Sequence, residues 1–160
     1  MTAYRPQFDR DSREWWERVA GREFAVQECD GCGTVRFPAR AFCPACRTEA
    51  WHWREVEPEG VVESWIVNHQ PFMPGFGEPY VVVMVRLAAV PGCFVYGNWR
   101  GDRPPEPGRR VRGAYRRIDE GLTLLDWEPA EDDGSPDTHQ AGKPHQSHHH
   151  EQPRRFGSEG

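Results

Sequence analysis

Residues 60–68 read GVVESWIVN, with Val62, Ser64, Ile66 and Asn68 alternating against Val61, Glu63, Trp65 and Val67. A period of two is the mark of a strand with one covered face. Further short apolar runs predict strands at 51–56, 80–87, 93–99, 109–118 and 122–127. Gly60, Gly92, Gly108 and Gly121, with Pro58, Pro91 and Pro107, punctuate these runs. Five or six short antiparallel strands with no helical interlude favour a small closed barrel, and an OB-fold is the natural candidate. Cys93 opens one strand and has no sequence partner, so it reads as a small buried core residue.

A helical signal precedes the strands. Asp11 and Glu14 have capping-box spacing, Trp15, Trp16 and Val19 follow, and Gly21 is placed to stop the helix. Two adjacent tryptophans on so short a helix cannot both enter one small core. One of them is expected to cover the neighbouring modules or to meet a partner protein, where tryptophan is enriched.

Between helix and barrel lies CDGCGTVRFPARAFCPACR, residues 29–47. Each C-x-x-C lets two thiolates from one tight turn reach a single ion. Two such turns bring Cys29, Cys32, Cys43 and Cys46 into a tetrahedron, and the intervening segment goes out and back as a small hairpin. Four protein thiolates leave no position open for water or substrate, so the ion serves folding and not catalysis. Zinc is the expected ion, and iron held as in rubredoxin is the rival. Arg36, Arg40 and Arg47 are spaced to offset the net −2 charge of such a centre.

Composition divides the chain further. Hydrophobic residues make up 37 %, low for a chain folded throughout its 160 residues. From Pro129 onward there is no aliphatic side chain larger than alanine, and five of the seven histidines lie there. That tail cannot offset the entropy of ordering and is expected to be disordered. The organisation predicted is a helix at 5–22, a zinc ribbon at 23–50, a barrel at 51–129 and a tail at 130–160. The longest apolar run, YVVVMV, is far too short to span a membrane, and the first residues lack the apolar stretch of a signal peptide, so a cytoplasmic location is expected.

Two features of the barrel suggest contact with something outside it. The segment HQPFMPGFGEP carries Phe72, Met73 and Phe76, which either fold back on the barrel or meet a partner or an acyl chain. In the strand at 109–118, Arg110, Arg112 and Arg116 share one face and Val111 and Tyr115 the other. That arginine row is either a solvated face or a site for phosphates or an acidic protein surface.

The tryptophan-bearing helix, QECDGCGTVRFPARAFCPACR, GVVESWIVNHQPF, PYVVVMVRL and VYGNWRG together resemble the acyl-CoA-associated zinc-ribbon/OB-fold family over residues 8–129. Arg47 departs from the pattern, since a glycine is expected after the second pair of cysteines. The resemblance implies an accessory subunit with a structural zinc. Its partners in that family are thiolase-superfamily proteins: thiolases, hydroxymethylglutaryl-CoA synthase and the lipid-transfer-protein-like aldolases that shorten steroid side chains. Some members are fused to MaoC-type hydratases. Trp15, Trp16, Arg36, Arg40, Phe72, Met73, Phe76, Arg110 and Arg112 are then the candidate contacts to a partner or to a coenzyme A thioester.

No G-x-S-x-G, no phosphate-cradling loop and no metal-ligand set with an open position occurs, so catalysis by the chain itself is not expected. Single-stranded nucleic-acid binding is the alternative, because zinc ribbons and OB barrels both serve it. Up to Pro129, however, 17 basic residues face 19 acidic ones, and a backbone-binding groove must be positive. Rubredoxin-like electron transfer is the third reading, and it leaves the barrel unexplained.

Overall fold

The computed structural model describes residues 6–70 and 79–130. It is mainly β, with a single helix among the described residues, α1 (Arg13–Ala20), whose Trp15 and Val19 are buried one turn apart. The cap differs from the expected box. Ser12 is the N-cap and makes no side-chain cap; instead the Asp9 carboxylate accepts from the Ser12 N–H at 2.7 Å and from its hydroxyl. At the other end Gly21 stays right-handed and Arg22 takes the left-handed turn at φ 63°. The Arg22 N–H donates to Val19 O and the Glu23 N–H to Arg18 O, which closes the helix in a Schellman motif.

Eight strands follow: β1 (Ala25–Cys29), β2 (Val35–Arg36), β3 (Trp51–Glu55), β4 (Glu59–Asn68), β5 (Tyr80–Leu87), β6 (Phe94–Asn98), β7 (Arg110–Asp119) and β8 (Leu122–Pro129). They form two antiparallel sheets, ordered β2-β1-β3 and β6-β5-β4-β7-β8. The sequence assigns 51–56 to the barrel, but β3 pairs with β1 from Ala25↔Glu55 to Cys29↔Trp51. That strand belongs to the ribbon sheet and leads the chain from the cysteines into the barrel.

The larger sheet closes on itself. Trp99 forms a parallel bridge with Trp127, and the Arg100 N–H donates to Trp127 O at 2.8 Å, bringing the end of β6 against β8. The resulting circuit, β4-β5-β6-β8-β7, is the strand order of an OB barrel. Gly97 makes the closure possible, because a Cβ there would sit 2.5 Å from Leu125 O and 2.8 Å from the Trp127 ring.

Strand β4 departs from strict alternation. Val62 pairs with Val85 and Ser64 with Met84, so Glu63 is an extra residue on one side of the ladder, a β-bulge. The inward face therefore switches from even to odd positions. Val62 is buried and Trp65 packs on the core, while Ile66, grouped with Val62 by the sequence pattern, is 65 % exposed.

One core runs through the whole structure. Trp15 and Val19 of the helix and Phe24 and Val26 of the ribbon join Val62, Val83, Val85, Val111, Leu125 and Trp127 of the barrel in a single cluster. The Trp15 ring meets Phe37 at 5.3 Å and Phe24 at 6.2 Å, so an aromatic wedge joins helix and ribbon. Cys93 is buried within this core, as expected, and burial pushes its thiol upward.

Candidate metal centre and surrounding surface

Cys29 ends β1, Cys32 follows in the same turn, and Cys43 and Cys46 occupy the turn before β3. The two turns repeat one backbone pattern. The Gly33 N–H donates to Cys29 O at 2.8 Å and the Arg47 N–H to Cys43 O at 2.9 Å. The Cys29 N–H in turn donates to Thr34 O and the Cys43 N–H to Thr48 O, at 3.0 and 2.9 Å. C-x-x-C-Gly-Thr and C-x-x-C-Arg-Thr thus make the same knuckle twice, facing each other.

The four Sγ atoms lie within 4.8 Å of one another. Cys29 and Cys46 are 3.5 Å apart at sulfur, and Cys32 and Cys43 3.6 Å. A tetrahedron with metal–sulfur bonds of about 2.3 Å has edges of about 3.8 Å, so the cage fits a divalent ion of zinc's size. Electrostatics agrees. The backbone N–H of Cys46 holds the Cys43 thiol down to about 6, and the Thr34 side chain lowers that of Cys32. The backbone N–H of Thr48 also favours the Cys46 thiolate, yet the neighbouring Cys29 and Cys32 sulfurs push it up to about 12. Four sulfurs packed so tightly resist carrying four negative charges, and a cation at their centre removes that repulsion. Beside the cage the His52 Nδ1 and an Asp30 carboxylate oxygen are 2.6 Å apart on the surface.

The proposed contact residues fall into different environments. Trp15 is buried in the core and offers no outer surface, whereas Trp16 is half-buried and stacks on Phe8 at 5.2 Å. Arg36 is also buried: its Nε donates to Gln27 Oε1 at 2.8 Å and its NH2 to Arg40 O at 3.2 Å, so this guanidinium braces the ribbon from within. Arg40 is exposed and its backbone N–H donates to the same Gln27 oxygen. Phe72, Met73 and Phe76 lie outside the described residues.

Much of the arginine row is neutralised by β8. Arg112 Nε meets Glu128 at 2.8 Å, and Arg116 grips Asp126 through both Nε and NH2. Arg110 is exposed at the start of β7. Asp126 is fully buried, and it also accepts from Asn98 Nδ2 at 3.1 Å and lies 3.6 Å from Arg100 Nε. Sequence reading passes over Asp126. Its one signal is an acidic residue between Leu125 and Trp127 in an apolar strand; in the ladder it lies opposite Ala114, midway between Arg112 and Arg116.

Residues 16–52 match the family described as "ChsH2, rubredoxin-like zinc ribbon domain", and residues 53–116 that described as "ChsH2, C-terminal OB-fold domain". A "DUF35 domain-containing scaffold protein" of Methanocaldococcus jannaschii is 30 % identical over 111 residues, covering 66 % of this chain and 77 % of that one. The chain belongs to the ChsH2/DUF35 family. Among solved structures, the "Ltp2-ChsH2(DUF35) aldolase" matches with TM-score 0.71 and 35 % identity, over 78 % of this chain and 98 % of that chain. A "Probable enoyl-CoA hydratase alpha subunit" of Thermomonospora curvata is 36 % identical over 128 residues, covering 79 % of this chain. The "3-oxo-4,17-pregnadiene-20-carboxyl-CoA hydratase alpha subunit" of Mycobacterium tuberculosis is 29 % identical over 129 residues, again covering 79 %. This chain spans 40 % of the length of each of those two hydratase subunits.

Proposed function

We propose that this chain is a non-catalytic scaffold subunit, held in shape by one structural zinc, that binds a thiolase-superfamily acyl-CoA enzyme of the steroid side-chain aldolase kind. The observation that carries the reading is its likeness, at 35 % identity and over nearly the whole of the matched chain, to the structure of the Ltp2-ChsH2(DUF35) aldolase. The chemistry of the chain agrees. Its four-sulfur cage fills every position of a tetrahedral ion and leaves none for a substrate. Its buried carboxylate, Asp126, is engaged by Arg116 and Asn98, leaving it poorly placed to move a substrate proton.

The family's MaoC-type hydratases are a further partner class, because two relatives of this chain are named hydratase alpha subunits. Nucleic-acid binding is opposed by the acidic balance up to Pro129 and by the engagement of Arg112 and Arg116 with Glu128 and Asp126. The test is to express an Ltp2-type aldolase with and without this chain and to measure its solubility and its carbon–carbon cleavage of an acyl-CoA substrate. A soluble, active complex is expected only when the two are made together. An aldolase equally soluble and active alone overturns the proposal.

A further inference from the structure

The outer face of β4, β5 and β6 carries apolar side chains that no other described residue covers. Ile66 is 65 % exposed and Tyr96 67 %, and Phe94 lies farther along the same side of β6. Register joins them into one surface. Ile66 is opposite Val82, and Met84 lies between Ser64 on one side and Tyr96 on the other. Val83 and Val85 point into the core, and their alternates Val82 and Met84 do not join it. The bulge at Glu63 is what turns Ile66 outward to complete this surface.

The border has a sign. Asn98, opposite Val82, donates to Asp126, and that single carboxylate engages Arg116 and lies beside Arg100. Two cations against one anion leave one positive charge at the edge of the apolar face. Arg100 is half-exposed and approaches Asp126 by its Nε, which leaves its terminal nitrogens for an outside acceptor. The buried carboxylate thus holds a cationic rim in place before any partner arrives. An exposed aromatic and aliphatic centre with a charged, solvated rim is the composition of a protein-binding surface.

We infer that the Ile66–Met84–Tyr96 face with its Arg100 rim is where the enzyme subunit docks, through an apolar segment bordered by a carboxylate. The inference rests on the scaffold reading above and says which surface of the barrel performs it.

The experiment captures the co-expressed complex on a sensor through a tag on the Ltp2-type aldolase, exchanges off the bound chain, and measures binding of the full, zinc-loaded chain to the immobilised aldolase by biolayer interferometry. Three variants are compared with the unaltered chain: Ile66→Asp with Tyr96→Asp, Arg100→Glu alone, and His52→Ala on the ribbon as a control. Each is expected to keep its zinc content and circular dichroism, because the altered side chains are half or more exposed. The double variant is expected to bind at least about tenfold more weakly. Arg100→Glu is expected to slow association and to flatten its dependence on salt. The control is expected to bind as the unaltered chain does. A double variant that is folded and binds unchanged overturns the docking face while leaving the scaffold reading intact. Failure of the unaltered chain to bind overturns the scaffold reading and the face with it. Sedimentation of the unaltered chain alone as a dimer that Ile66→Asp dissociates would assign the face to a second copy instead, and would equally overturn the inference.

Discussion

Gly33 and Arg47 occupy the same position in the two knuckles, one residue past the second cysteine of each, with φ of 68° and 66°. Glycine adopts that left-handed turn without strain, and a side-chain-bearing residue pays roughly 1 kcal/mol for it. Arg47→Gly is therefore expected to stabilise the zinc-loaded chain by up to about 1 kcal/mol, and Gly33→Ala to destabilise it by a similar amount. A Cβ at Gly33 meets nothing within 4 Å, so the second change isolates the backbone cost. Urea unfolding at saturating zinc measures both. Equal midpoints for Gly33→Ala and the unaltered chain would show that the turn relaxes.

The metal comes next. Elemental analysis is expected to find one zinc per chain in a colourless protein. Cys43→Ser, which replaces a fully buried ligand, is expected to cost several kcal/mol and to release the ion. A red protein, or iron in the analysis, refutes zinc.

Acid should empty the cage. Cys43 is depressed to about 6 even without a metal, so its contribution is full above the ordinary thiol range and is lost as pH falls through that value. A bound cation competes with protons for the thiolates, which moves the window for release below about pH 6. Cys46, held up at about 12 by its neighbours, keeps its proton at neutral pH until the metal displaces it. Zinc binding at neutral pH is thus expected to release protons. Calorimetry in buffers of differing ionisation enthalpy measures that release, and an indicator titration follows the loss of metal in acid. Retention of zinc well below pH 5 with no proton release on binding would contradict this assignment.

Asp126 is the polar latch of the barrel seam, tying β8 to β6 through Asn98 and to β7 through Arg116. Asp126→Ala is expected to cost about 3 kcal/mol, toward the low end for a broken buried pair because Arg116 is about a third exposed. Asp126→Asn should lose less, since its amide oxygen still accepts. Thermal unfolding compares the two, and an alanine variant as stable as the unaltered chain would show that the seam is held by Trp99 and Trp127 alone.

Single-stranded DNA and RNA are expected to bind only weakly and to be released by salt. Fluorescence anisotropy at physiological ionic strength checks this, and nanomolar affinity would reverse the ranking of the functional readings.

The strand pattern and the C-x-x-C pairs carried most of the architecture, because period-two alternation and ligand spacing are local properties. The start of the strand at 51–56 was legible; its membership of the ribbon sheet was not, since pairing with Ala25–Cys29 is a long-range choice. The bulge at Glu63 was equally silent, and it alone decides that Ile66 faces outward while Val62 faces in. Arg36 read as a surface cation because arginine is seldom so buried, and only the fold reveals the Gln27 oxygen that receives it. Trp15 and Trp16 separated as their adjacency on a helix requires, one into the core and one to its margin.

Because Trp15, Phe24 and Val26 share one core with Val111, Leu125 and Trp127, the ribbon and the barrel cannot melt independently. Thermodynamic reciprocity then makes the cysteine cage a gauge of distant packing. A barrel substitution far from any sulfur, such as a truncation of Val111 or Leu125, will register as a weaker apparent zinc affinity once it makes the metal-free chain unfold. In a cell that limits free zinc, such a chain loses its ion, and with it its shape, while every ligand is still in place.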